Sequence, residues 1–134
     1  MIDYQNEIFT EVATEVRTNH AGTTVTGEYV RTPSKFPTVA LDEIDNVTVA
    51  ELVDSSNEEK FSGIGYRLQV FSNKSGGKKA EARAIFATAD KVMLGMGFRR
   101  VTYSVTPEIY DSTIYSIMAT YEAIIDASGV IYKR

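Results

Sequence analysis

Ile64, Tyr66, Leu68 and Val70 alternate with Gly65, Arg67 and Gln69, the period-two pattern of a half-buried strand. The turn-forming run Ser72-Asn73-Lys74-Ser75-Gly76-Gly77 follows. From Lys78 the period changes. Ala82, Ile85, Ala89, Val92 and Met96 recur at steps of three and four, which predicts a helix with one apolar stripe. Gly97 predicts its end, and Phe98, Val101, Tyr103 and Val105 open a new strand. This central unit carries strong structural signals and no catalytic ones.

The flanking segments read in the same way. Ile8, Phe9, Val12, Ala13 and Val16 form one stripe of a helix from about Asp3 to Thr18, with Asp3 as its N-cap and Asn19-His20-Ala21-Gly22 as its end. The β-branched content of Thr23 to Val30 predicts a strand, broken by Arg31-Thr32-Pro33-Ser34-Lys35. Phe36-Pro37 then favours an extended approach to the strand Thr38 to Asp45, where Val39, Leu41 and Glu43 alternate with Ala40, Asp42 and Ile44. The stretch Asn46 to Lys60 carries the polar run Asp54 to Lys60, a solvated loop or one that orders against a neighbouring subunit.

Pro107 to Asp111 predicts a turn. Along Thr113 to Asp126, Tyr115, Ile117, Ala119, Tyr121, Ala123 and Ile125 share one face of a long strand. A helix is the competing reading for Ser116 to Ala127, and the unbroken alternation with Tyr and Ile content favours the strand. Asp126-Ala127-Ser128-Gly129 turns the chain into a short strand, Val130 to Tyr132. The expected fold is α+β: a single domain over 1–134 in the order α-β-β-β-α-β-β-β, a mostly antiparallel sheet with two helices on one face.

Composition narrows the chemistry. A length of 134 residues suits one core, and 43% hydrophobic with 24% charged residues is ordinary for a globular chain. No apolar run approaches the ~20 residues that span a bilayer. Asp3 and Glu7 near the start do not fit a signal peptide, so synthesis in a cytoplasm is expected. There is no cysteine and one histidine, His20, which removes disulfides, thiolate metal sites and most acid–base pairs. A net charge of −4 with scattered Lys and Arg argues against gripping duplex nucleic acid, yet permits a channel through which it passes.

Each candidate site has a plainer reading. Gly76-Gly77-Lys78-Lys79 at a helix start suggests a phosphate-cradling loop, but the P-loop spacing is not met and Lys79 stands where Ser or Thr is required. A solvated turn presenting Lys74, Lys78 and Lys79 is the expectation. Asp42-Glu43-Ile44-Asp45 suggests carboxylates for a divalent ion, but Asp42 and Glu43 point to opposite faces of a strand. An acidic edge or subunit contact is expected there instead. His20 is expected as a solvated group at a helix C-terminus. Of the eight tyrosines, Tyr66, Tyr103, Tyr115 and Tyr121 fall on strand faces, most of them as core or sheet-face residues, and a subset at a subunit contact fits the enrichment of tyrosine at interfaces. Neither an enzyme nor a cofactor is expected.

The leading amphipathic helix, Phe36-Pro37 before an acidic strand with Asp45-Asn46, and Tyr66-Arg67-Leu68-Gln69-Val70-Phe71-Ser72-Asn73 form a pattern. It continues through Gly77-Lys78-Lys79, Gly97-Phe98 and Tyr121-Glu122-Ala123. Over nearly the whole chain this resembles the small tail terminator, or tail-completion, proteins of long-tailed bacteriophages. The resemblance implies an α/β subunit that assembles with itself into a ring, typically hexameric, at the head-proximal end of the virion tail. Such a ring caps the tail tube protein, stops its polymerisation and offers a docking surface to the head–tail connector, while DNA passes through the lumen without specific binding. It brings no catalytic residues.

A head-side connector, another minor virion protein or a cellular ligand-binding module remain alternatives, with a carboxylate hydrolase behind them. A ring needs two different complementary patches per subunit. One is expected at Asp42 to Glu59, including Glu43, Asp45, Glu58 and Glu59. The other is expected at the Lys74-Lys78-Lys79 turn with Arg99 and Arg100, opposite charge setting the register.

Overall fold

The computed structural model describes residues 1–49, 61–107 and 111–132. Its elements are α1 (Gln5–Asn19), β1 (Thr24–Thr26), β2 (Thr38–Thr48), β3 (Phe61–Ser72), α2 (Lys78–Met96), β4 (Arg99–Pro107), β5 (Tyr115–Asp126) and β6 (Ile131–Tyr132). The order is α-β-β-β-α-β-β-β, an α+β fold. One sheet runs β1-β2-β3-β5-β4, with β6 beside β5 above the start of β4. Every pairing is antiparallel except β1 with β2.

The alternation along β5 sets the layer. Ile117, Ala119, Tyr121, Ala123 and Ile125 are buried on the face that carries both helices. Register puts Val70, Leu68, Tyr66 and Ile64 of β3 opposite Ile117, Ala119, Tyr121 and Ala123, and Val39 and Leu41 of β2 opposite Val70 and Leu68. One row therefore crosses five strands as Val25, Val39, Val70, Ile117 and Val105, all β-branched. Such neighbours pack well on a pleated surface.

Helix α1 buries Ile8, Val12, Ala13 and Val16 of its predicted stripe, while Phe9 lies half-buried at the margin. Its first turn differs from expectation. Tyr4 holds the N-cap position without a side-chain bond, and the Asp3 carboxylate accepts from the Gln5 N–H at 3.1 Å. Helix α2 buries Ala82, Ile85, Phe86, Ala89 and Met93, while Val92 and Met96 lie half-buried at the margin of the core. The stripe is thus rotated toward Phe86 and Met93, because α1 packs along one flank of α2 and the sheet lies beneath the other. Gly97 takes the left-handed conformation, φ 112°, that closes the helix, and the Phe98 N–H reaches Met93 O at 3.1 Å. Phe98 then packs edge-on against Tyr66, with ring centroids 5.5 Å apart.

Strand boundaries shift where the sequence signal is weak. β1 is three residues long because the chain leaves the sheet at Gly27 and crosses its helix-free face before returning as β2. That crossing is held by Gln69, whose side chain accepts from the Val30 N–H at 3.1 Å and donates to Val30 O at 2.9 Å. The Arg67 guanidinium also lies 4.2 Å from the centre of the Tyr29 ring. β2 runs on to Thr48, with an extra residue, Ile44, bulged between Glu43 and Asp45. β3 begins at Phe61, earlier than Ile64, since Ser62 and Gly63 pair in the ladder without an apolar signature. Among the described residues no helix is long and apolar enough to cross a membrane.

Candidate functional site

The acidic strand is partly neutralised within the chain. Asp42 and Arg67 face each other across β2 and β3, and the guanidinium donates to both carboxylate oxygens, at 3.2 and 2.5 Å. Glu43 lies on the opposite face, as strand alternation requires. Burial raises its pKa, Asn46 opposes that by hydrogen bonding, and the Asp3 charge adds to the rise. Opposite Glu43 stands Tyr66, 2% exposed, whose hydroxyl lies near the Glu43 carboxylate but misses a well-aligned hydrogen bond to it. Burial pushes that phenol far above its ordinary range, and the Glu43 charge pushes it further. Asp45 is exposed beside the Ile44 bulge. Glu58 and Glu59 lie outside the described residues, as does the polar run Asp54 to Lys60.

The two arginines at the start of β4 also have partners. Arg99 bonds Glu122, its neighbour on β5. Arg100 donates to both oxygens of Asp90 on α2, at 2.8 and 2.9 Å. The same carboxylate accepts from the Tyr121 hydroxyl at 2.6 Å, and Tyr121 is the register partner of Arg100. Asp90 therefore ties α2 to two strands at once. It raises the pKa of the Arg100 guanidinium by hydrogen bonding and charge, and that of the Tyr121 phenol together with burial, which is the larger cause there.

Lys74, Lys78 and Lys79 do not join Arg99 and Arg100. They sit where β3 ends and α2 begins, level with Pro107, whereas the arginines start β4 eight residues away, about 27 Å along a strand. With Arg83, Ser112 and Thr113 the lysines line a hollow of about 680 Å³. Lys78 donates to Ser112 O, and Glu81 in the first turn of α2 accepts from Ser72 Oγ at 2.7 Å. That acid offsets the lysines against the helix dipole.

His20 is half-buried, not solvated. Its ring nitrogen lies 2.8 Å from Thr88 Oγ1, because the end of α1 packs against the middle of α2. Among the described residues no three His, Asp or Glu side chains are grouped to hold a metal ion.

The surface that sequence reasoning missed is the outer edge of β4. Val101 to Thr106 are all exposed, with Val101 at 46%, Tyr103 at 47% and Val105 at 44%, while the inner edge pairs with β5 except at a bulge at Val101. The strand was readable from its alternation, but its place at the margin of the sheet depends on β5 inserting between β3 and β4. Tyr103, expected on a strand face, lies there half open against Phe86, with ring centroids 5.2 Å apart. Tyr66 and Tyr121 are fully buried and Tyr115 half-buried. On the helix-free face, Gly63 and Gly65 leave a hollow of about 220 Å³ rimmed by Ile44, Val47 and Val101. A Cβ on Gly65 would come within 3.1 Å of Asp45 Cβ, so a side chain there would need Asp45 to give way slightly. No protein-family model matches this chain, and no curated protein matches it.

Proposed function

We propose that this chain is the ring-forming subunit that caps a bacteriophage tail tube, ends its polymerisation and presents the finished tail to the head. The observation that carries an assembly role is the outer edge of β4, a six-residue uncharged strand segment, Val101–Thr106, left exposed. Such an edge is a template for another strand and is ordinarily blunted or covered in a protein that works alone. The resemblance of the Phe36-Pro37, Tyr66–Asn73, Gly77-Lys78-Lys79 and Gly97-Phe98 segments to tail terminator proteins supports the tail as the setting. A net charge of −4 suits a ring through which DNA slides.

The test is solution mass by light scattering over a range of concentration and salt, followed by electron microscopy, for the chain alone and mixed with purified tail tubes. A closed ring with a central channel, seated on tube ends, is the expected result. A chain that stays monomeric in both settings overturns the reading. One observation favours a second reading, a ligand-binding module: the basic hollow between Asn73 and Arg83. Saturable binding of a small anion by a monomer would select it.

A further inference from the structure

The sheet ends in two unlike edges. On one side β4 is outermost, paired inward from Arg99 to Pro107 and with no described strand on its outer side. On the other side β1 is the outermost described strand, three uncharged residues, Thr24–Thr26, running parallel to β2. Taking β1 and β2 as upward, β3 runs down, β5 up and β4 down. A second subunit set alongside with its helices on the same side therefore offers β1 to β4 in the antiparallel sense, the more stable pairing.

The rows across the sheet match at that junction. Val25, Val39, Val70 and Ile117 are at most 8% exposed, and their row stops at Val105, 44% exposed on the open edge. A neighbouring Val25 placed beside Val105 would continue it, with Thr26 opposite Ser104 and Thr24 opposite Thr106. Higher up, two further rows read Glu43-Tyr66-Tyr121-Arg100 and Asp45-Gly65-Glu122-Arg99. Each has an acid at the β2 margin and an arginine at the β4 margin. A ring closes only if its subunits repeat without rise along the axis. With strands set along that axis, equal heights meet: valine against valine, and the arginine end against the acidic end.

We propose that β4 of one subunit pairs antiparallel with β1 of the next, Val105 opposite Val25, so that the sheet runs on from subunit to subunit. This rests on the ring reading above. It assigns the two faces of the heterologous contact and keeps all helices on one side of the ring.

The chain contains no cysteine, so a cysteine pair reports this contact cleanly. In one subunit Thr26 and Ser104 lie four strand spacings apart along the sheet, about 19 Å. A disulfide needs Cα atoms within about 7 Å, so T26C/S104C cannot close within one chain. The expected result on mild oxidation is a covalent ladder ending at the ring's own subunit number, absent from either single variant. A ring by light scattering without a ladder overturns the edge pairing and leaves the ring reading standing. A monomer without a ladder overturns both. Dimers from S104C alone would show β4 paired with β4 and overturn the proposal as well.

Discussion

Replacing Asp90 by Ala tests whether one carboxylate holds α2 on the sheet. Its side chain is 16% exposed and accepts three hydrogen bonds, two from Arg100 and one from Tyr121. Tyr121 is 1% exposed, so the substitution leaves a buried hydroxyl without an acceptor, a loss of about 1–3 kcal/mol. Arg100 is 41% exposed and regains water, so its ion pair adds only about 0–1 kcal/mol. The expected total is about 1–4 kcal/mol. Y121F alone should cost about 1 kcal/mol, since Asp90 keeps Arg100. The double variant D90A/Y121F should cost less than the sum, because phenylalanine leaves no orphaned hydroxyl. With no tryptophan in the chain, urea unfolding followed by far-UV circular dichroism is the suitable assay, with the slope checked for constancy. A D90A variant within about 0.5 kcal/mol of the parent, or strict additivity in the double variant, would refute the reasoning.

Val105→Lys places a charge on the open edge at a half-exposed position, and should abolish assembly in light scattering while shifting stability by no more than about 0.5 kcal/mol. Tyr66→Phe removes a buried hydroxyl that lacks a well-aligned partner and should stabilise the fold by about 1 kcal/mol in urea; a loss instead would mean that Glu43 accepts a hydrogen bond from it. The Ser128 hydroxyl, the Val130 and Ser128 N–H groups and the Tyr132 hydroxyl hold the Asp126 carboxyl down from 3.8 to about 2. Its folded value is depressed, so the stability it lends is present above about pH 4 and is lost as pH falls toward 2. An NMR titration should find that midpoint, and Asp126→Asn should flatten the acid limb of the stability profile. Charge reversal at Lys78 and Lys79 should leave the ring intact, because the turn stands at the Pro107 end of the sheet, far in height from Glu43 and Asp45; loss of the ring on light scattering would restore the basic turn as a contact.

What was legible in the sequence was what nearest neighbours decide. β5 announced its faces through twelve residues of alternation, and Gly97 announced the end of α2 because a left-handed closure favours glycine. The stripe of α2 was read one step off, since Phe86 and Met93 are as apolar as Val92 and Met96 and only the placement of α1 chooses between them. β1 shrank to three residues because the backbone beyond Thr26 is claimed by the crossing that Gln69 and Arg67 anchor, contacts 39 residues apart for Gln69 and Val30. The candidate site suffered most. Asp42, Arg99 and Arg100 stood out as charges open to a partner, yet their nearest opposite charges are Arg67, Glu122 and Asp90, which no local pattern reveals.

Those internal pairs change the physics assigned to the contact. A surface carboxylate already held by a guanidinium offers a neighbour little further Coulomb energy, so charge can steer and orient but not supply most of the adhesion. Backbone groups on an unpaired edge are different, because their hydrogen bonds are made to water until a strand arrives. The outer edge of β4 is bounded at both ends: Arg99, Arg100 and the bulge at Val101 above, Pro107 below. Within that frame only a short, uncharged strand is admitted, and β1 is three residues of that kind. The margin of β2 above Ala40, by contrast, carries Asp42, Glu43, Asp45 and the Ile44 bulge, the features that discourage strand pairing. Among the described residues the chain thus protects one stretch of its open margin and leaves another bare, the two features that the proposed ring would require.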